Sequence, residues 1–363
     1  MKPAPALQQI PSGVFCAGDY EAHARRRLDA NAWAYFSSHA GDGITAQANL
    51  AAWQAIELLP RMLRSAAGPR TARELLGRPL PWPVLVAPMA LQRMAHADGE
   101  LATALAASAQ GAGMVLSSQA SLPLETVAAA VRTDVDRGPL WLQLYFLADR
   151  GATLDLVQRA EAAGFEALVI TVDAAVRAAR PAEQRAGFRL PAGIGTVNLP
   201  PPAPAGRLSL QDMMAQAPGW ADVAWLRART SLPVLLKGVL HPGDVREAVA
   251  LAVDGLIVSN HGGRTLDTAA ATARALPAAL EAAGGTVPVL VDGGIRRGSD
   301  VFKALALGAQ GVLVGRPVLW GLATAGAAGA AHVLRLLRDE FEVTMAQCGA
   351  TGLADIGPDL LVR

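Results

Sequence analysis

Cysteine is nearly absent: the 363 residues include only Cys16 and Cys348, with no CxxC pair and no metal-ligand spacing. That excludes a disulfide framework and a zinc site, and it fits a reducing compartment. Charge of one sign is also scarce. The 32 basic residues are offset by 31 acidic ones, for a net charge of +1. The one basic cluster, Arg25-Arg26-Arg27, is short and reads as a solvated helix face. Nucleic acid is therefore not an expected partner. No apolar run reaches the roughly 20 residues of a membrane span. The longest stretch of small residues, Gly321 to Ala331, is Ala/Gly-rich and weakly hydrophobic. At the amino terminus Lys2 is followed by prolines and glutamines, with no apolar core of a signal peptide. A cytoplasmic location with no membrane span is the expectation.

What the chain has in quantity is apolar residues, 52% against 17% charged, enough for a large core. Residues 1–80 read as a helical and irregular segment, with helix patterns over Tyr20–Phe36 and Ala46–Leu59 and stops at Pro60 and Pro69. From residue 81 to 363 the rhythm changes. Apolar runs recur at Val84–Ala87, Met114–Leu116, Leu140–Leu144, Leu168–Val172, Val234–Leu236, Gly255–Val258, Val289–Val291 and Gly311–Val314. Amphipathic, Ala-rich segments lie between them, and Gly164, Gly284 and Gly308 stand where helix C-caps belong. Eight such runs with crossover helices predict an α/β chain folded as a (β/α)8 TIM barrel behind an N-terminal helical segment. An open doubly wound sheet is disfavoured, since no GxGxxG follows the first run. One long loop, about 174–220, interrupts the rhythm, and its Pro/Gly/Ala-rich centre, Leu190–Arg207, reads as a mobile cover or a plain excursion.

Chemistry in such barrels collects at the carboxyl ends of the strands. Here the runs end on Met89-Ala90, Ser117, Gln143 with Tyr145, Thr171 with Asp173, Lys237, Ser259 with His261 and Arg264, Asp292-Gly293-Gly294 with Arg296, and Gly315-Arg316. His261 can take a proton near neutral pH, and Asp173 can orient it and stabilise its charged form. Arg264 can hold a carboxylate through two parallel hydrogen bonds. The glycines and arginines of the last two runs suit a phosphate group, and Asp292 could instead hold a sugar-like hydroxyl. Lys237, ending an apolar strand, could form a Schiff base or offset negative charge on an acceptor. No G-x-S-x-G is present for a serine nucleophile.

The stretch Ser259-Asn260-His261-Gly262-Gly263-Arg264-x-Leu266-Asp267 resembles the signature of the FMN-dependent 2-hydroxy acid oxidases and dehydrogenases, the group of glycolate oxidase, lactate oxidase and mandelate dehydrogenase. The resemblance runs from about Tyr20 to Ile356. It takes in Met94-Ala95-His96, Gln143-Leu144-Tyr145, Thr171-Val172-Asp173, Leu236-Lys237-Gly238 and Asp292–Val301. It implies FMN as cofactor, His261 as base with Asp173 as its partner, Arg180 and Arg264 on the substrate carboxylate, and Tyr35 and Tyr145 as the active-site tyrosines. It also implies FMN contacts from Met89, Ala90, Ser117, Gln143, Thr171, Lys237, Ser259, Asp292, Gly293, Gly294, Arg296, Gly315 and Arg316, with no metal.

The implied reaction is oxidation of an (S)-2-hydroxy acid to a 2-oxo acid, with oxygen as acceptor and hydrogen peroxide as product. The alternative is a dehydrogenase passing electrons to a quinone or carrier protein. A homo-oligomer, tetramer or octamer, is implied as well. Two other classes are weaker: a flavin- or phosphate-binding barrel without turnover, and a Schiff-base lyase using Lys237. Neither needs the full His, Asp, Arg and Tyr set. Departures from the glycolate oxidase pattern fall at Met89, Gln119, Arg177, Ala178, Ala179 and Pro181, where the substrate tail should lie. They predict a substrate larger than glycolate.

Overall fold

A closed ring of eight parallel strands is what these apolar runs build. In the computed structural model, which describes residues 9–64, 68–176, 178–201 and 209–362, an antiparallel hairpin of β1 (Arg73–Leu75) and β2 (Arg78–Leu80) precedes the ring. The barrel follows as β3 (Val84–Val86), β4 (Gly113–Ser117), β5 (Leu140–Leu144), β6 (Leu168–Thr171), β7 (Val234–Val239), β8 (Gly255–Val258), β9 (Val289–Val291) and β10 (Gly311–Val314), with β10 closing on β3. The N-terminal helices are α1 (Tyr20–Arg27), α2 (Ala30–Ser37) and α3 (Ile44–Gln54). Then come α4 (Gly99–Ala109), α5 (Leu124–Val131), α6 (Arg150–Ala163), α7 (Pro181–Arg185), α8 (Leu210–Ala215), α9 (Trp220–Arg227), α10 (Pro242–Ala250), α11 (Thr272–Ala283), α12 (Gly298–Ala306) and α13 (Arg316–Gln347).

Alternation along the strands separates two apolar cores. Residues such as Val84, Leu116, Leu142, Ile170, Leu236 and Val258 face outward beneath the helices. Leu85, Val115, Trp141, Val169, Leu235, Ile257, Leu290 and Leu313, one from each strand, pack with one another inside the ring. Leu75 and Leu80 of the hairpin join this inner cluster. That hairpin corrects the expectation of helix or irregular chain up to residue 80. Its turn places Leu76 and Gly77 at φ 51° and 72°, the paired positive values of a tight hairpin turn, and Gly77 was the signal for it.

Other boundaries also moved. Tyr20–Phe36 is two helices, because the Asp29 side chain accepts from Ala32 N at 2.7 Å and starts α2 anew. The segment Leu190–Pro201 is pinned rather than free. The buried Asn198 accepts from Leu124 N at 2.9 Å and donates to Leu122 O at 3.0 Å. Residues 202–207 of the expected cover lie outside the described residues. Among the described residues one helix, α13, is long and apolar enough to cross a membrane, and 78% of its most apolar window is buried in the protein. It breaks at Ala325 and Gly326, where the backbone leaves helical values.

The N-terminal segment is bolted to the carboxyl end of the barrel. Asn49 and Asn260 exchange two amide hydrogen bonds of 2.8 Å. Trp53 Nε1 donates to Gly293 O at 2.8 Å. Asp267, in the loop after β8, accepts from the backbone N–H groups of Asp42, Gly43 and Thr45 and so caps α3 from a distant part of the chain. These bonds hold its carboxyl below the ordinary value. A depressed carboxyl contributes stability above its unfolded-state value and loses it as pH falls through the folded one. Asp267→Ala is therefore expected to cost about 1 kcal/mol at neutral pH, and the gap from wild type should shrink on acidification, checked by denaturant titration at neutral and acidic pH.

Candidate active site

Each strand carries a second inward residue two positions after its apolar one, nearer the carboxyl end. The resulting set is Ala87, Ser117, Gln143, Thr171, Lys237, Ser259, Asp292 and Gly315, and it is mostly polar. Its members bond laterally. Lys237 Nζ lies 2.9 Å from Ser259 Oγ and 3.1 Å from Asp292 Oδ2, across three adjacent strands, and both charged side chains are buried. Ser117 Oγ donates to Gln143 Oε1 at 3.0 Å. Above this layer stand Tyr145, Asp173 and His261, two residues further on from β5, β6 and β8. A single cleft joins the polar layer to the loops above. Tyr35, Met89, Ala90, Ser117, Gln143, Tyr145, Thr171, Arg180, Lys237, His261, Arg264, Asp292, Gly293, Gly294, Arg296, Gly315 and Arg316 all line it. Two expected site residues do not. Ser259 stands beneath, its Oγ accepting from His261 N at 3.0 Å, and Asp173 stands behind the His261 ring.

His261 Nδ1 is 2.9 Å from Asp173 Oδ1. With the carboxylate ionised, Nδ1 carries the proton and donates, which leaves Nε2 as the basic atom. Burial, opposed by Asp173 and assisted by Lys237 and Arg264, holds the imidazole below its ordinary value, so it is neutral at pH 7. Burial would raise the Asp173 carboxyl, but His261 and Lys237 outweigh it and keep it ionised. The contact depends on a glycine. β7 bulges between Lys237 and Val239, and Gly238 takes φ 106° there. A Cβ on Gly238 would lie 2.5 Å from Asp173 Cβ.

Arg264 and Arg180 converge from the loops after β8 and β6. Arg264 Nη1 donates to Tyr35 O at 3.0 Å and Ser38 O at 2.8 Å, and its guanidinium lies 5.5 Å from the Tyr35 ring centre. Burial and the neighbouring Arg180 push it down to about 10. Arg180 Nε donates to Arg264 O at 3.3 Å. Two residues that sequence reasoning passed over complete this wall. Glu183, buried on α7, sits 3.1 Å from Arg180 Nη1. Phe188 stacks on Tyr35 with ring centres 5.0 Å apart, an aromatic cover just ahead of the segment Leu190–Arg207. The signal for Glu183 was Pro181, which opens a helical turn and places a carboxylate three residues after Arg180. Arg177 lies outside the described residues.

Two further arginines, Arg296 and Arg316, line the cleft. Arg316 Nη2 donates to Gly262 O at 2.6 Å and Arg296 Nη1 to Ile295 O at 3.0 Å, so the bonds found for both go to backbone carbonyls. Burial, with Arg264 and Arg296 nearby, pushes Arg316 down to about 9. Burial lowers Arg296 as well. Buried cations under such mutual repulsion call for an anion, and Arg316 opens α13, whose N-terminal N–H groups favour one too. In the polar layer Gln143 Nε2 and Asp292 Oδ1 are buried with no protein partner. An FMN-sized ligand, with a phosphate at one end and a polar ring system at the other, fits both demands.

Comparison with known proteins agrees with this geometry. The chain matches the family described as FMN-dependent dehydrogenase over residues 24–363. It is 48% identical over 362 residues to the L-lactate oxidase of Alicycliphilus denitrificans, covering 97% of this chain and 98% of that protein. It is 42% identical to 2-hydroxyacid oxidase 1 of Homo sapiens, with 96% of each covered. Among solved structures it is similar to mandelate oxidase with (S)-2-phenylpropionate, with a TM-score of 0.87 and 39% identity over 96% of this chain and 98% of that one.

Gly238→Ala tests whether the bulge sets the His261–Asp173 contact. The forced shift at a positive φ is expected to cost about 1–3 kcal/mol of stability. It should also lower the occupancy of the His261–Asp173 bond, read as loss of its downfield imidazole N–H proton signal.

Proposed function

The chain belongs to the FMN-dependent dehydrogenase family, and from that premise we propose that it oxidises (S)-2-hydroxy acids to 2-oxo acids with oxygen as the electron acceptor. The observation that carries this reading is His261, 2.9 Å from Asp173, facing a cleft that also holds Arg180 and Arg264. A base beside a carboxylate clamp is what proton removal from a 2-hydroxy acid requires. Full-length relatives named as oxidases favour oxygen over a quinone or carrier protein. A lyase would need Lys237 free as a nucleophile, and here it is committed to Ser259 and Asp292.

Arg180 and Arg264 hold the substrate carboxylate and so orient the hydroxyl-bearing carbon. His261 Nε2 takes the substrate proton, and Asp173 stabilises the imidazolium that results. Tyr145, whose hydroxyl is kept protonated by burial and the nearby Asp173, offers the substrate oxygen a donor. Tyr35 lies over the Arg264 guanidinium. The polar layer with Arg296 and Arg316 would hold FMN, which would supply a two-electron acceptor open to reoxidation by oxygen with release of hydrogen peroxide. Lys237 places fixed positive charge where negative charge would build. Two free cysteines support a cytoplasmic location, and exposed Ile44 and Leu266 beside the α3 cap support self-association.

His261→Gln is expected to retain FMN but to bleach about 10²–10⁴-fold more slowly with substrate under anaerobic conditions. Rapid bleaching in the variant would reject His261 as the base. In the wild type the reduction rate should rise with pH through a value below that of free imidazole and level off by neutrality, since the neutral ring is the active form.

For the substrate, Met89 and Gln119, two of the departures from the glycolate oxidase pattern, both line the cleft. Anaerobic reduction followed by admission of air, across glycolate, lactate, 2-hydroxyoctanoate and mandelate, should place glycolate below a larger acid. Glycolate as the best of the four would overturn this assignment.

A further inference from the structure

The two arginines of the clamp come from different loops, and neither strand beneath them fixes the gap between them. A buried carboxylate does. Glu183 Oε1 lies 3.1 Å from Arg180 Nη1 and 3.7 Å from Arg264 Nη2, and it accepts from Ser38 Oγ at 2.7 Å. Its side chain is 5% exposed. Ser38 also donates to Tyr35 O at 2.9 Å, and its own carbonyl receives Arg264 Nη1. One stripe of α2 and its cap therefore reaches the segment 180–189 at three points spaced i, i+4 and i+7. Asn31 exchanges hydrogen bonds of 2.8 and 2.9 Å with the backbone of Arg189. Tyr35 stacks on Phe188. Ser38 bonds Glu183. Phe188 N in turn donates to Glu183 O at 2.9 Å, so the stack and the carboxylate are parts of one turn.

We propose that Glu183 is a positioning residue that sets the separation and orientation of Arg180 and Arg264, and so prepares them to grip a single substrate carboxylate. The proposal rests on the reading of those arginines given above. Each guanidinium is fixed along one edge by protein acceptors: Arg180 by Glu183 and Arg264 O, Arg264 by the carbonyls of Tyr35 and Ser38. Two cations facing one another would otherwise drift apart. A carboxylate between them offsets that repulsion and holds them in place before substrate arrives, so less ordering is left for the binding step. Glu183 is itself held ionised: burial opposes this, but Ser38 and Arg180 prevail.

A double-mutant cycle tests this on the FMN-loaded protein, with Glu183→Gln, Arg180→Met and the pair together. Binding of pyruvate, a 2-oxo acid, is read from the flavin absorbance, and flavin reduction by lactate is followed anaerobically. Glu183→Gln should keep the flavin and the thermal midpoint while weakening pyruvate binding about tenfold and slowing reduction. In the Arg180→Met background the same change should alter binding by less than about twofold. An unchanged dissociation constant in Glu183→Gln, or equal losses in both backgrounds, would overturn the proposal, since a merely structural role adds independently of Arg180. If Glu183→Gln does not fold, Ser38→Ala takes its place in the cycle, with a several-fold loss expected that again vanishes beside Arg180→Met. A wild type that binds no 2-oxo acid and is bleached by no 2-hydroxy acid would overturn the reading of the whole site. A responsive wild type with additive variants would overturn the role of Glu183 alone.

Discussion

Closure of the barrel is the constraint on which everything else depends. Eight strands with no free edge must fill their interior with side chains that alternate along each strand. Leu85, Val115, Trp141, Val169, Leu235, Ile257, Leu290 and Leu313 fill the lower part and exclude water. That dry floor is what allows a polar layer immediately above it to be preorganised. Lys237, Ser259 and Asp292 bond to one another because no solvent competes for them. The same packing raises the cost of an unpaired charge there. Replacing either Lys237 or Asp292 alone would strand the other, a loss of about 3–5 kcal/mol for a buried pair. The floor therefore supports the site and also restricts which residues can form it.

The upper wall follows a different logic. It is not built from one element but from the loops after β6 and β8, the short α7 and α2, which have to be held against one another. The N-terminal segment does this work. Asn49, Trp53 and the backbone of Asp42 to Thr45 anchor it to the loops after β8 and β9, and α2 then presents Tyr35 and Ser38 to the arginines. The segment is thus part of the site rather than an appendage to the barrel. Glycine enters where two backbones must touch. A Cβ on Gly294 would come within 2.6 Å of Asn49 O, and its φ of 93° suits glycine in any case.

Much of this was legible before any coordinates. All eight strands fall on the apolar runs, because a strand buried on both faces must be apolar throughout and stops visibly when it becomes polar. The site residues at the strand ends were legible for the same reason. What was missed in the upper wall depends on contacts remote in sequence. Glu183 and Phe188 look like ordinary residues of a long connection until α2 is placed against them. Ser259 reads as a ligand contact from its position, but the bonds to Lys237 and to His261 N draw it beneath the cleft. The hairpin of residues 73–80 was hidden by its brevity, and the break in α13 by the helix-forming alanines around it.

The distribution of cations in the cleft separates two tasks that a count of basic residues would merge. Arg180 and Arg264 meet at Glu183, Arg296 and Arg316 donate to the carbonyls of Ile295 and Gly262, and Lys237 lies in the polar layer. The chain has only three lysines, Lys2, Lys237 and Lys303, so a lysine at the centre of the polar layer is not a product of composition. A guanidinium offers a planar fork, which suits a carboxylate or phosphate approached from outside. An ammonium is a compact charge with three donors, and at Lys237 Ser259 and Asp292 fix it laterally, leaving its charge within the layer beneath a bound ligand. The forked groups thus stand where anions must be recognised. The point charge stands where an electric field is needed, and the closed, dry floor below keeps that field from being screened.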